Sequence, residues 1–221
     1  MHCVKDNGKK AISAWYESLF GAFGPQGWWP GRTRFEVIVG AILTQNTAWI
    51  NVEKAITRLK RARLLVPRRM HAVDVAELAE QIRPAGYFNV KAKRLKNFTA
   101  HLFEKHDGSL DRLLRGNTAG LRAGLLSVSG IGPETADSIL LYAGGHPEFV
   151  VDAYTRRIAV RHGLAGEDAG YEELKSLFME NLREDARVFN EYHALIVKTG
   201  KDFCKTKKPL CESCPLKKFL N

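Results

Sequence analysis

The chain has 221 residues, with 34 Lys and Arg against 24 Asp and Glu, a formal net charge of +10. Its 45% hydrophobic and 26% charged residues exclude a disordered or fibrous chain, and no apolar run approaches the roughly 18 residues of a membrane span. The length suits one compact domain or two small ones, and the positive balance favours a polyanionic partner, of which nucleic acid is the commonest. The first ten residues, MHCVKDNGKK, lack the apolar stretch of a secretion signal, so a cytoplasmic protein of a bacterial or archaeal nucleoid is expected.

In chain order, residues 11–23 space Ile12, Trp15, Tyr16, Leu19 and Phe20 as one buried helical face. A turn-rich segment, GPQGWWPG at 24–31, ends that helix. Helical patterns follow at 35–43, 52–59, 74–82, 91–105, 110–114, 121–125, 135–142, 153–162, 171–182 and 186–198. The one β-branched run, Phe149-Val150-Val151, is too short for a sheet. The expected fold is all-α.

Between the helices at 121–125 and 135–142 lies Ser129-Gly130-Ile131-Gly132-Pro133-Glu134. Glycine lets a backbone turn sharply and approach another surface closely, and the free N–H groups of the following helix suit a phosphate. The same residues also serve an ordinary helix–helix turn. Twenty residues after Gly132, Asp152 opens the next helix, where a plain N-cap is the simplest role.

Taken together, the G-x-G hairpin, the loop Gly144-Gly145-His146-Pro147 and Asp152 resemble the helix-hairpin-helix DNA glycosylases of the endonuclease III superfamily. The resemblance runs from about Trp15 to Cys214. It implies two helical subdomains, 24–140 with the hairpin at about 121–142, and 1–23 plus 141–203, followed by a cysteine-rich loop at 204–221. It also implies a monomer acting on damaged double-stranded DNA, with Asp152 as the catalytic carboxylate. Gln45, within VGAILTQNT at 39–47, matches the residue that fills the gap left by a flipped base. Gly130, Gly132, Lys91 and Lys93 match DNA-backbone contacts, with Arg94 and Lys96 beside them.

Bifunctional members carry a lysine nucleophile two residues after the second hairpin glycine; here that position is Glu134, a possible second polar group at the site. A carboxylate forms no imine, and no lysine lies between Lys105 and Lys175. The expected activity is therefore hydrolytic. Trp28-Trp29-Pro30 and Phe35-Glu36 resemble the subgroup of 3-methyladenine DNA glycosylases, in which aromatic faces would hold a cationic alkylated purine. Alternatives are an endonuclease III-like enzyme for oxidised pyrimidines or mismatched thymine and uracil, and a non-enzymatic module that binds DNA structure.

The spacing Cys204-x6-Cys211-x2-Cys214 matches three of the four ligands of the family's [4Fe–4S] loop, while the fourth position holds Leu220. Cys3, the remaining cysteine, is a candidate to complete the set.

Overall fold

A computed structural model describes the backbone of residues 3–220 and the side chains of residues 11–220. Twelve α-helices are described: α1 Cys3–Phe23, α2 Arg34–Thr44, α3 Trp49–Arg61, α4 Pro67–Ala72, α5 Val75–Gln81, α6 Phe88–His106, α7 Leu110–Leu113, α8 Thr118–Leu126, α9 Pro133–Ser138, α10 Ala153–Arg161, α11 Tyr171–Met179 and α12 Ala186–Asp202. No strand occurs among the described residues, as expected of an all-α chain. Side-chain caps set several boundaries: Thr33, Asp74, Asn117, Asp152 and Asp185 accept from backbone N–H groups in the first turns of α2, α5, α8, α10 and α12. The helix that sequence periodicity missed is α4. It buries only Met70 and is marked instead by Pro67 at its start.

The chain divides into two compact units, one of residues 29–146 and one of residues 1–28 with 147–221. In the first, α2 supplies an unbroken buried run from Phe35 to Leu43, and Val52, Ile56, Leu95, Phe98 and Leu102 pack with it. The helical hairpin of this unit is α8, a turn at 127–132, and α9. Its turn is pinned by Ile131, which is buried. Its two helices are joined by a two-point ion pair: Arg122 Nε and Nη2 donate to Asp137 Oδ1 and Oδ2 at 2.7 and 3.2 Å, and Asp137 is fully buried. Beyond Ser138 the helix widens into a π-helical turn, Ile139–Gly144, before the chain leaves at Gly145 with φ +69°.

The second unit packs α1, α10, α11 and α12. Phe149 stacks on Phe178 at 4.4 Å, and Tyr192 donates its hydroxyl to the Ile12 carbonyl at 2.8 Å, tying α12 to α1. Phe149-Val150-Val151 is buried here as an extended connection rather than a strand. Close approach of α10 and α12 depends on Gly200, since a Cβ there would collide with the Tyr154 ring.

Candidate active site and nucleic-acid interface

Asp152 stands at the N-cap of α10. Its Oδ1 accepts from the Thr155 backbone N–H at 2.8 Å and the Thr155 hydroxyl at 2.9 Å. Its Oδ2 lies 3.6 Å from His193 Nε2 on α12, with 15% of the Asp152 side chain and 6% of the His193 side chain exposed. Burial pushes the Asp152 carboxyl up. His193 beside Oδ2, with the two Thr155 bonds, outweighs burial and holds it below the usual carboxylate range. The simple capping role is thus real, and it occupies one oxygen only.

In the unit of residues 29–146, Gln45 ends α2 and reaches the hairpin. Its Nε2 donates to Gly130 O at 3.0 Å and Thr135 Oγ1 at 2.9 Å, while its Oε1 accepts from Arg94. Gly130 has φ +95°, and a Cβ there would collide with the Arg94 side chain, so this glycine is needed by the fold itself. Gly132 differs. Its φ of −94° suits any residue, and an added Cβ would meet no atom of the described protein. Glu134 is exposed in the first turn of α9, where a carboxylate favours the helix dipole, and its carbonyl accepts from Ser138 Oγ at 2.7 Å.

The basic stretch at 91–96 does not form one DNA-facing row. Lys91 corrects the expectation: it is 1% exposed and its ammonium donates to Leu43 O at 2.8 Å, Ala85 O at 2.9 Å and the Thr47 hydroxyl. Burial, helped by Arg94, pulls its pKa down to about 8. Three inward acceptors at the end of α2 and the 85–87 turn leave it no proton for a phosphate. Lys96 caps α4 through Met70 O, His71 O and Val73 O. Lys93 is exposed. At the start of α6, Tyr87 has a left-handed φ of +46° and is 72% exposed.

The expected aromatic site is regrouped. Phe35 is buried in the core, because it falls on the apolar face of the first turn of α2. Trp28 belongs to the other unit, half-buried, with the Lys201 ammonium 5.9 Å from its ring centre. Trp29 and Glu36 do share one open cavity of about 340 Å³, together with Pro30, Trp49 and Lys60. Trp29 meets Trp49 edge-on at 5.1 Å and Tyr142 at 5.0 Å. Glu36, 7% exposed, pairs with Lys60 at 2.5 Å rather than with Arg32 or Arg34.

Residues 39–184 match the family described as HhH-GPD superfamily base excision DNA repair protein. The chain is a member of the HhH-GPD superfamily. It is 50% identical over 218 residues to MJ1434 of Methanocaldococcus jannaschii, whose name provisionally assigns a DNA repair glycosylase, with 98% of both chains covered. It is 29% identical to the endonuclease III of Sulfolobus acidocaldarius, over 86% of this chain and 83% of that one. Among solved structures, the H. pylori 3-methyladenine DNA glycosylase MagIII, bound to 1,N6-ethenoadenine, aligns with a TM-score of 0.76 and 29% identity, covering 88% of this chain and 97% of that one. A trapped endonuclease III–DNA covalent intermediate aligns with a TM-score of 0.80 over 94% and 93% of the two chains at 24% identity, which shows the shared fold. The protein is accordingly a DNA glycosylase of base excision repair.

In this HhH-GPD glycosylase the three tail cysteines line one cavity with His162, Leu216 and Leu220. Arg161 Nη1 donates to Cys204 Sγ at 3.2 Å, and burial pushes the Cys214 thiol up, with Cys204 and Cys211 adding to the rise. The thiol donors suit a thiophilic iron centre. Leu220, at the expected fourth ligand position, offers no donor. Among the described residues no three His, Cys, Asp or Glu side chains converge on a single metal ion. The Cys3 side chain lies outside the described residues. No described helix is long and apolar enough to cross a membrane.

Sequence reasoning missed His193, Thr155, Trp49 and Tyr87. Thr155 was legible as the N3 partner of an N-cap, and Tyr87 as an aromatic beside a turn glycine. His193 carried no local signal, since a single His in an amphipathic helix reads as an ordinary core residue.

Proposed function

We propose that the protein is a monofunctional glycosylase that hydrolyses the N-glycosidic bond of an alkylated purine such as 3-methyladenine, after the nucleotide is flipped out of damaged duplex DNA. The observation that carries this reading is the hairpin residue two places after Gly132. Glu134 stands there, and a carboxylate cannot attack the sugar as an amine does. Lys91 and Lys175 are also committed elsewhere, Lys91 to three oxygens of its own unit and Lys175 to a buried pair with Glu148.

Asp152 supplies the chemistry. With Oδ1 fixed by Thr155 and the carboxyl held ionised, Oδ2 is the oxygen available to orient or deprotonate water and to stabilise an oxocarbenium-like sugar. An alkylated purine is cationic and a good leaving group, so a second acid is not required. The Trp29–Trp49 cavity has aromatic surface for such a base, and its wall sets two carboxylates, Glu36 and Glu53, against one ammonium, Lys60. MagIII, a relative at 29% identity named as a 3-methyladenine glycosylase, supports the same substrate class.

On the DNA side, Gly132 offers a surface where backbone can approach a phosphate, and Gln45, held above the hairpin, is the gap-filling residue. Exposed Tyr87 is suited to stacking on bases. Cys204, Cys211 and Cys214 would hold three corners of a [4Fe–4S] cluster, which would serve as a structural centre for the 204–221 loop. A brown protein with about four irons per chain is the expected preparation; a colourless, iron-free one made without oxygen overturns the cluster.

The activity is tested on duplexes carrying 3-methyladenine, hypoxanthine, thymine glycol, uracil or a T·G mispair, with base release and borohydride trapping measured in parallel. Release of 3-methyladenine without a trapped adduct is expected. A borohydride-trapped adduct overturns the hydrolytic reading, preference for thymine glycol or T·G overturns the substrate class, and no release from any duplex favours a DNA-structure binder.

A further inference from the structure

His193 has no place in the sequence pattern that marks Asp152, and the fold brings the two together from positions 41 residues apart. We infer that His193 is a positioning residue for the glycosylase reaction, aiming Oδ2 of Asp152 at the reacting sugar. This inference rests on the reading of Asp152 as the catalytic carboxylate.

The geometry begins with the capping bonds. Thr155 holds Oδ1 from two directions, which fixes the carboxyl carbon but leaves rotation about the Cβ–Cγ bond opposed by one oxygen only. His193 Nε2, 3.6 Å from Oδ2, restrains the other oxygen. The imidazole sits on a helix that cannot easily shift. Tyr192, the preceding residue, is fully buried with its hydroxyl on Ile12 O, and seven residues along α12 Gly200 accepts the Tyr154 ring of α10 against its Cα. His193 is itself buried, so the contact with Asp152 lies away from bulk water, where a directed hydrogen bond or ion pair is stronger than at the surface.

Other N-caps of this chain show what is particular here. Asp74 caps α5 through one oxygen from an exposed position, and Asp185 caps α12 through one oxygen that also lies 3.7 Å from Arg187 of its own helix. Asp152 differs in that its second oxygen faces a partner from another helix. Thr155 from α10 and His193 from α12 are the side chains that act on its carboxyl, and His193 is the titratable one. Loss of His193 should therefore let the Asp152 carboxyl swing and protonate at higher pH, with the cap intact.

The test is single-turnover base release from the 3-methyladenine duplex by the full chain, with duplex binding and the acid limb of the pH–rate profile measured alongside. Wild type and Asp152→Asn are run first. If Asp152→Asn releases base as fast as wild type, the reading of Asp152 fails, and this inference with it. With Asp152→Asn inactive, His193→Leu is expected to be about 100-fold slower, the scale of a misplaced reacting group. Its duplex Kd should stay within about twofold, and its acid limb should move up by about one pH unit, the low end of what a lost favourable partner does. His193→Gln, which keeps a donor of similar reach, is expected to recover most of the rate and return the limb. If His193→Leu fails to fold, His193→Asn, whose amide is too short to reach Asp152, takes its place. An unchanged rate in these variants, or a slower rate with an unmoved acid limb and no recovery by Gln, overturns the inference while leaving Asp152 in place.

Discussion

Lys91 and Asp152 are buried charges in different units of this chain, and their surroundings complete them to different degrees. Lys91 has three protons and three oxygens receiving them: Leu43 O, Ala85 O and the Thr47 hydroxyl. Asp152 has two bonds on Oδ1, while Oδ2 has His193 at 3.6 Å. A buried charge whose bonding capacity is filled locks its neighbours and is structural. One with an oxygen in reserve is held ready for chemistry, because burial has already stripped the water that would otherwise compete for it.

Mutation can break this contrast at several points. The largest effect is expected at Asp152: Asp152→Asn keeps a cap for Thr155 but loses the carboxylate, and base release should fall by about 10³- to 10⁴-fold with duplex binding retained, as read by single-turnover kinetics. Asp137→Ala comes next. It removes the buried carboxylate that takes two bonds from the Arg122 guanidinium and should cost about 3–5 kcal/mol in urea unfolding, loosening the hairpin. A cost below about 1 kcal/mol would show that the ion pair does not close the hairpin.

Lys91→Met leaves three buried oxygens without their donor and should cost about 1–3 kcal/mol, with the salt dependence of DNA binding unchanged. A reduced salt slope would return Lys91 to the DNA surface and end the contrast. Lys91 also carries a pH signature. Its folded pKa of about 8 lies below its ordinary 10.5, so between these values the unfolded chain binds the extra proton. Wild-type stability should therefore rise relative to Lys91→Met as pH climbs from 8 to 10.5, measured by urea midpoints. The smallest effect is at exposed Lys93: Lys93→Ala should leave stability within about 0.5 kcal/mol and reduce the salt slope by about one phosphate contact.

The helices were legible because each has a periodic apolar face, and α4 was not because it buries little beyond Met70. The hairpin was legible for a chemical reason: two glycines around one apolar residue leave few alternatives for the backbone. Of the candidate site, Asp152 could be found from its cap position and the motif around it. Phe35 and Lys91 misled, since the residue type at the start of a helix does not say which way it faces. Phe35 turned into the core and Lys91 toward carbonyl groups donated by segments 6 and 48 positions away. Trp49 belonged with Trp29 and Glu36, but 20 residues separate it from Trp29, and only packing of α2 against α3 joins them.

The sequence by itself determined an all-α chain, a G-x-G hairpin, a carboxylate where a lysine nucleophile would stand, and three cysteines with Leu220 in the fourth place. These are properties of residue type and short-range spacing, and a linear reading captures them. Tertiary structure alone decided the electrostatic partners: His193 for Asp152, Arg122 for Asp137, Lys60 for Glu36, and backbone oxygens for Lys91. A charge taken from water must find a partner wherever the fold offers one, and that choice is made by distance in space rather than by separation along the chain.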